Sequence, residues 1–468
     1  MMTTAPQPSP LPGMGAQVNH DGEGVSFRVW APHADQVYVA GNFTEPMWNQ
    51  GKVTLARDGD DSSYWSALVT EAKANDLYAF VISRKDQADL WRLDPYCRQI
   101  EGDVNANGDS SPQTKCVIVD WSQFDEQNEP FSMPPWNELV IYELHLGTFN
   151  DSGIAARRLD DAIQKLDYLA DLGINAIEIM PCTEFETKTS MGYNPSLLFA
   201  IERDYGKEKG LQQFVHEAHV RGIAVLFDVV YNHLGPDNLG LCYWCFDGWG
   251  ENSHGGIYFY QDERAITDFG ATRPDYGRPE VRQMLRDNAM MWLHEYHADG
   301  LRFDSTINIR RSQQGDLPDG WQLMQCINRD KDPTHFSIAE DLQDNEWMTK
   351  NVDDGGAGFS SQWDVGFYCT IRDAVVPMED SSRSMVAVSN ALNKRYNGDA
   401  FQRVIYTESH DEVSEHDGTK LGRMPEKIWP GNADSWPSRK RSTLATAILL
   451  TSPGVPMLFQ VRPRSRDR

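Results

Sequence analysis

Residues 224–233 read AVLFDVVYNH, an unbroken apolar run that closes on an aspartate, an asparagine and a histidine. Such a run without alternation fits a strand buried on both faces, as in a parallel sheet covered by helices. Seven further runs of this kind follow Trp136 or flank the first: 139–146, 176–181, 300–306, 335–340, 359–364, 403–409 and 455–460. Longer segments with helical spacing separate most of them. Ile163, Leu166 and Leu169 share one helical face, and Val281, Met284, Leu285, Met291 and Trp292 share another after Pro279, a residue suited to a first helical turn. Eight such runs predict an α/β fold, a (β/α)8 TIM-type barrel, with an open doubly wound sheet as the alternative.

Outward from the barrel the rhythm changes. Between Gly24 and Ile118 the apolar residues recur with a period near two, as at Val25, Phe27 and Val29 and again at Val37 and Val39, with Gly, Asp and Asn clusters between runs. That pattern predicts a small immunoglobulin-like β-sandwich. The chain then divides into a disordered lead over 1–19, a sandwich over 20–120, a linker over 121–136 with Pro130, Pro134 and Pro135, and the barrel over 137–460. An atypical tail, 461–468, closes it. One connection, 232–278, follows the third strand and is long and rich in Gly, Asp and aromatics. Long loops at strand ends are where barrels keep function.

Composition narrows the partners. The 468 residues carry 43 Lys and Arg against 69 Asp and Glu, a formal net charge of −26 that repels phosphate backbones and anionic lipid heads. Neither nucleic acid nor a membrane is expected as a partner. Seven cysteines are too few and too odd in number for a disulfide framework, and a reducing compartment, the cytoplasm, suits them. No stretch reads as a signal peptide, and the most apolar one, 444–459, is interrupted by Pro453 and Pro456. A soluble monomer is expected.

Several runs end in a polar group, and in a barrel all strand C-termini open on one face. Asp228 closes VLFD, Arg302 and Asp304 sit in GLRFDST, Glu340 closes FSIAE, and His410 with Asp411 follows VIYTES. Residues two apart on a strand point the same way, so Arg302 should lie beside Asp304 and favour its ionised form. Such an aspartate suits a nucleophile. Glu340, from the next strand, suits an acid if its surroundings raise its pKa, and a carboxyl pair about 5 to 5.5 Å apart fits retaining glycoside chemistry. Asp411 suits the stabilisation of positive charge on a sugar.

Each of these groups has a plainer reading. A lone Asp or Glu at a strand end is more often an ion-pair partner or helix cap, and His233 and His410 taken singly are more often satisfied structural histidines. The set as a whole shifts the balance. The loop aromatics Tyr243, Trp244, Phe246, Trp249, Tyr258, Phe259 and Tyr260 offer flat faces for sugar rings or, at least as readily, a small core for the loop. Cys242 and Cys245 form a C-x-x-C pair without a second half, so they read as packing rather than a zinc site.

The strings DVVYNH, GLRFDST, IAED and SHDE, in that order and spacing, resemble the four motifs of the alpha-amylase superfamily of glycoside hydrolases and transglycosidases. The resemblance runs from about residue 20 to Gln460. It implies Asp304 as nucleophile, Glu340 as general acid and then base, and Asp411 as transition-state stabiliser. It also places Asp228, His233, Arg302 and His410 around the reacting glucose, with Tyr193 of MGYNP stacked on that sugar. Asn232 falls where many amylases hold calcium, but branching-type members generally lack that ion, so neither a metal nor a cofactor is expected.

Within the superfamily, GVSFRVWAPHADQVYVAGNF is similar to the N-terminal carbohydrate-binding sandwich of glycogen branching enzymes, and LVIYELHLGTF to their first barrel strand. Trehalohydrolases acting on maltooligosyl-trehalose share both, while YTESHDEV and NADSW favour branching. The resemblance therefore implies an α-glucan substrate and transfer of a cleaved α-1,4 chain to a 6-hydroxyl. Hydrolysis by the same mechanism is the alternative, and glucan binding without turnover is the reading from another class. After SPGVPMLFQ the family continues with Gly-Gln-Glu, an eighth helix and a β-domain, whereas VRPRSRDR follows here. Without that helix, apolar surface is expected to show on the first and last strands.

Overall fold

The fold is that of a computed structural model, which describes residues 13–460 apart from 20–23, 45–47, 49–50, 61, 103–113, 122–130, 151–157, 186–189, 236–241, 252, 414, 417–418 and 421. Most of the expected linker and the whole of the tail 461–468 lie outside the described residues.

The first unit is a two-sheet sandwich. Strands Gly15–Val18, Val25–Trp30, Tyr64–Val69 and Ala56–Arg57 form one antiparallel sheet; the other is built on Gln36–Gly41 and Leu77–Ser83. Alternation decides which side chains meet between them. Val25, Phe27 and Val29 point inward from one sheet and Val37, Val39, Phe80 and Ile82 are buried in the same core. Residues 15–18, expected within the disordered lead, are an edge strand paired with Val25–Arg28. Ala16 and Val18 alternate with polar neighbours and pack on the core, a two-period signal too short to stand out beside four nearby prolines.

Eight parallel strands close the second unit into a barrel: Ile141–Leu144, Ala176–Ile179, Ala224–Val229, Gly300–Phe303, Phe336–Ala339, Ser361–Trp363, Arg403–Tyr406 and Val455–Phe459. Closure is direct, because Ile141 pairs with Met457 and Tyr142 with Leu458. Inside, Ile141, Leu226, Phe336, Ile338, Val404 and Met457 form one apolar cluster. Ile141, Leu226 and Ile338 stand two residues before Glu143, Asp228 and Glu340, so the packed floor and the polar groups above it share one face of each strand. Helices Glu208–Val220, Pro279–His294, Pro318–Asp330, Val365–Val375 and Trp436–Thr451 lie between the strands in sequence. Pro279 opens its helix as expected.

Three details differ from the sequence reading. Ile163 and Leu166 lie on two short helices, Arg158–Ile163 and Leu166–Asp171, rather than on one. A two-stranded insert, Thr183–Phe185 with the wholly buried Pro195–Ile201, follows the second barrel strand. On the terminal strands Ile141–Leu144 is buried throughout, whereas Leu458 and Phe459 are half-buried. The first strand therefore shows none of the expected exposure, Phe149 packing edge-on against its Tyr142, and on the last strand Leu458 still packs against the core.

The loop aromatics settle into a core. Tyr243, Phe246, Tyr258, Phe259 and Tyr260 are buried, and the loop locks onto the sandwich. Asp247 accepts from the backbone N–H of His33 at 2.9 Å, Trp249 stacks on the His33 ring at 4.5 Å, and Arg92 donates to Phe246 O at 2.8 Å. They hold two domains together rather than face a ligand.

Candidate active site

Arg302 organises the mouth of the barrel. It lies within the fourth strand, fully buried, with its guanidinium 4.4 Å from the ring centre of Trp363 on the sixth. Nη1 reaches Asp228 Oδ2 at 2.6 Å and Asp304 Oδ1 at 3.1 Å, while Nη2 reaches Glu340 Oε2 at 2.9 Å. Three carboxylates from three strand ends therefore meet one planar cation. The size of a guanidinium caps the separation of the adjoining Asp304 and Glu340 oxygens at about 8 Å.

The backbone contributes at the same point. Ser305, directly after Asp304, has φ 38° and ψ 58°, a left-handed conformation that L-residues adopt at a cost. In that turn its N–H donates to Glu340 Oε2 at 2.7 Å, and the next amide, that of Thr306, donates to Glu340 O at 2.8 Å. The strain is thereby coupled to the approach of the two acids. Asn232 donates from Nδ2 to Asp304 Oδ2 at 2.6 Å and to Asp304 O at 3.0 Å, fixing the second carboxylate oxygen.

Tyr193 enters from the two-stranded insert. Gly192 before it has φ 95°, and a Cβ there would stand 2.2 Å from Pro181 O, so the tight turn that delivers the tyrosine needs glycine. The Tyr193 hydroxyl donates to Asp228 Oδ2 at 2.6 Å, its ring stacks on His410 at 4.7 Å, and His233 Nε2 bonds its carbonyl oxygen at 2.7 Å. His233 thus sets the tyrosine's backbone. His410 begins a four-residue helix after the seventh strand and pairs through Nε2 with Asp411 Oδ1 at 3.3 Å.

Charges are sorted by environment. Burial pushes the Glu340 carboxyl up to about 8 against the pull of Arg302, and the nearby Asp304 and Asp411 charges add to the rise. At neutral pH Glu340 carries a proton. Burial likewise raises Asp228 to about 6 against the pull of Arg302. For His410 burial works against the cation, but Glu143 and Asp411 overcome it and hold the ring protonated. A protonated acid and a carboxylate flanking the same guanidinium suit protonation of a leaving group together with nucleophilic attack.

All eight residues singled out in the sequence, Tyr193, Asp228, His233, Arg302, Asp304, Glu340, His410 and Asp411, gather at this mouth, with Asp411 the most exposed. Sequence reasoning missed the anchoring role of Asn232, the platform of Trp363 and two buried acids, Glu143 and Glu178, that share a rung on the first two strands. The alternation Ile141, Glu143 was a usable signal for the first acid. No described group of three or more His, Cys, Asp or Glu side chains is arranged for a metal.

Residues 148–240 match the family model "alpha amylase, catalytic domain", and residues 13–97 match carbohydrate-binding module 48, the isoamylase N-terminal domain. The 1,4-alpha-glucan branching enzyme GlgB of Oceanobacillus iheyensis is 28% identical over 95% of this chain and 70% of its own length. The malto-oligosyltrehalose trehalohydrolase of Saccharolobus solfataricus is 28% identical over 94% of this chain and 73% of its own. Among solved structures, the Group B Streptococcus pullulanase SAP shares the fold with a TM-score of 0.73 at 20% identity, over 96% of this chain and 63% of that one. The chain spans from 63% to 73% of the length of these three proteins. In its eight parallel strands closed below an acid cluster, and in the two family models it matches, this chain is similar to the alpha-amylase superfamily of glycosidases and transglycosidases.

Proposed function

We propose that the chain is a 1,4-alpha-glucan branching enzyme acting by retaining double displacement. Asp304 attacks the anomeric carbon of an α-1,4-linked glucose while Glu340 gives its proton to the departing oxygen, leaving a glycosyl ester on Asp304. Glu340, now ionised, takes the proton of an incoming 6-hydroxyl as that oxygen displaces Asp304, which restores both groups. Asp411 faces the positive charge that develops between the steps. Tyr193, His233, Asp228 and His410 surround the reacting ring. The observation that carries this reading is the single buried guanidinium with an Asp304 oxygen 3.1 Å from one of its nitrogens and a Glu340 oxygen 2.9 Å from the other.

The sandwich supports a polymeric substrate. The side of one sheet away from the main core carries Tyr38, Trp48 and Trp91, with Lys52 Nζ 5.6 Å from two of the rings. Flat aromatic faces of this kind suit sugar rings. All seven cysteines are free and no described helix is long and apolar enough to cross a membrane; we place the enzyme in the cytoplasm on its thiols and proposed substrate.

Incubation with amylose tests the reading. Branching lowers iodine colour with no matching rise in reducing ends; a parallel rise overturns it in favour of hydrolysis. The resemblance to a trehalohydrolase makes that enzyme the second reading, and release of trehalose from maltooligosyl-trehalose is its signature.

A further inference from the structure

Tyr193 reaches the barrel mouth on the turn 190–194, which Ser190 closes: its hydroxyl accepts from Gly192 N at 3.0 Å and donates to Asn194 Oδ1 at 2.6 Å. From outside the turn, His145 Nε2 lies 3.1 Å from Ser190 O. His145 stands two residues beyond Glu143, just past the end of the first barrel strand. One strand end therefore serves both members of the Tyr193 and His410 stack, Glu143 bonding His410 and His145 bonding the turn that bears Tyr193.

Two single-purpose groups set every proton along this chain of bonds. A backbone N–H only donates, and that of His145 meets Gln460 Oε1 at 2.9 Å, which leaves Gln460 Nε2 to donate to Thr148 Oγ1 at 2.7 Å. A carbonyl oxygen only accepts, so His145 Nε2 carries the hydrogen that faces Ser190 O, and the Tyr205 hydroxyl oxygen at 2.9 Å shares it. Burial lowers the pKa of His145 and keeps its ring neutral, so Nδ1 is a lone pair. Thr148 Oγ1, 3.0 Å from Nδ1, gives it a proton. A ring turned over about its Cβ–Cγ bond would set carbon against both Ser190 O and Thr148 Oγ1, so the imidazole has one orientation and one tautomer.

We infer that His145 is a positioning residue for Tyr193, holding the 190–194 turn so that the tyrosine already meets Asp228 and His410 when substrate enters. The ring of His145 bonds Thr148, Ser190 and Tyr205, none of them an acid of the Arg302 cluster. Its influence on the reaction therefore passes through Tyr193. The effect on rate rests on the function proposed above, whereas the effect on the turn does not.

His145→Phe keeps a ring and removes both nitrogens, whereas His145→Gln keeps an amide N–H for Ser190 O. In the full chain acting on amylose, His145→Phe should lower kcat/KM about tenfold and His145→Gln no more than about threefold. In a Tyr193→Ala background His145→Phe should change kcat/KM less than about twofold, because the residue it serves is gone. An equal loss in both backgrounds overturns the inference, as does a glutamine variant as poor as the phenylalanine one. Hydrogen–deuterium exchange reads the turn without substrate: residues 190–194 should exchange about tenfold faster in His145→Phe, with residues 300–306 unchanged. No acceleration, or equal acceleration of both segments, overturns the role. Should the parent convert no α-glucan, the functional reading fails by itself and exchange alone decides. If His145→Phe does not fold, Thr148→Val, which removes the hydroxyl that sets the tautomer, replaces it with an effect of about threefold on the same readouts.

Discussion

Glu143 grips His410 twice across 267 residues of sequence, accepting from its backbone N–H at 3.1 Å and pairing with its ring Nδ1. Both side chains are buried, so the pair is sheltered from solvent. Burial opposes the imidazolium, and the Glu143 charge is the largest influence sustaining it. Glu143→Gln should cut kcat/KM about tenfold to hundredfold at pH 7.5, a typical cost for losing a group that orients a site residue. The loss should shrink at pH 5.5, where His410 regains its proton. A pH–rate profile checks this, and an equal loss at both pH values would assign the effect to packing.

Glu340 is the proton donor of the proposed first step, and burial pushes it up to about 8. Activity of the parent should therefore decline above about pH 8, approaching tenfold per unit. Glu340→Gln, which cannot release or accept that proton, should lower kcat at least about a thousandfold on amylose. Turnover that persists undiminished at pH 9.5 would assign the acid to another residue.

Asn232 holds the carboxylate oxygen of Asp304 that Arg302 does not. A hydrogen bond to a charged group contributes about 1.5–3 kcal/mol, so Asn232→Ala should lower kcat about tenfold to hundredfold with little change in KM. Asn232→Asp should cost more, because it sets a second negative charge against the nucleophile. Steady-state kinetics on a soluble maltooligosaccharide separates the two variants.

Several buried carboxyls make stability depend on pH. Burial raises Asp94 and Asp228 to about 6, Glu202 and Glu208 to about 7, and Glu340 to about 8. Each folded value exceeds the unfolded one, so the folded state binds protons that the unfolded state has released. The stabilisation is fully present below about pH 4 and is lost as pH rises through 6 to 8. Among these groups alone, urea midpoints should fall between pH 5 and pH 8.5. Glu208→Gln should flatten that slope; an unchanged slope would remove Glu208 from the account.

The eight barrel strands were legible because each is an apolar run too long to be half-exposed, and the acids were legible because they close those runs. Arg302 and Asp304 needed only the two-residue period of a strand. Partnerships fixed by tertiary contact were less readable: the seat of Trp363 under Arg302 and the commitment of Asn232 to Asp304 come from loops and strands that meet only in the closed barrel. Nothing in GLRFDST marks Ser305 as left-handed, since the conformation is imposed by the neighbouring strand end. The loop aromatics show the opposite limit, because Tyr243 and Tyr258 read equally as a sugar platform or a core until burial decides.

The pairing of Ile141 with Met457 gives the ring an order of assembly. During synthesis the first stave must wait, its inner edge unpartnered, until the last one leaves the ribosome. The Gln460 side chain, which accepts from His145 N at 2.9 Å and donates to Thr148 Oγ1 at 2.7 Å, is the latch of that late seam. Because Glu143 lies on the waiting stave and His410 on the late-arriving side, their contact is a part of the mouth that only ring closure completes, after the Arg302 cluster of the middle strands.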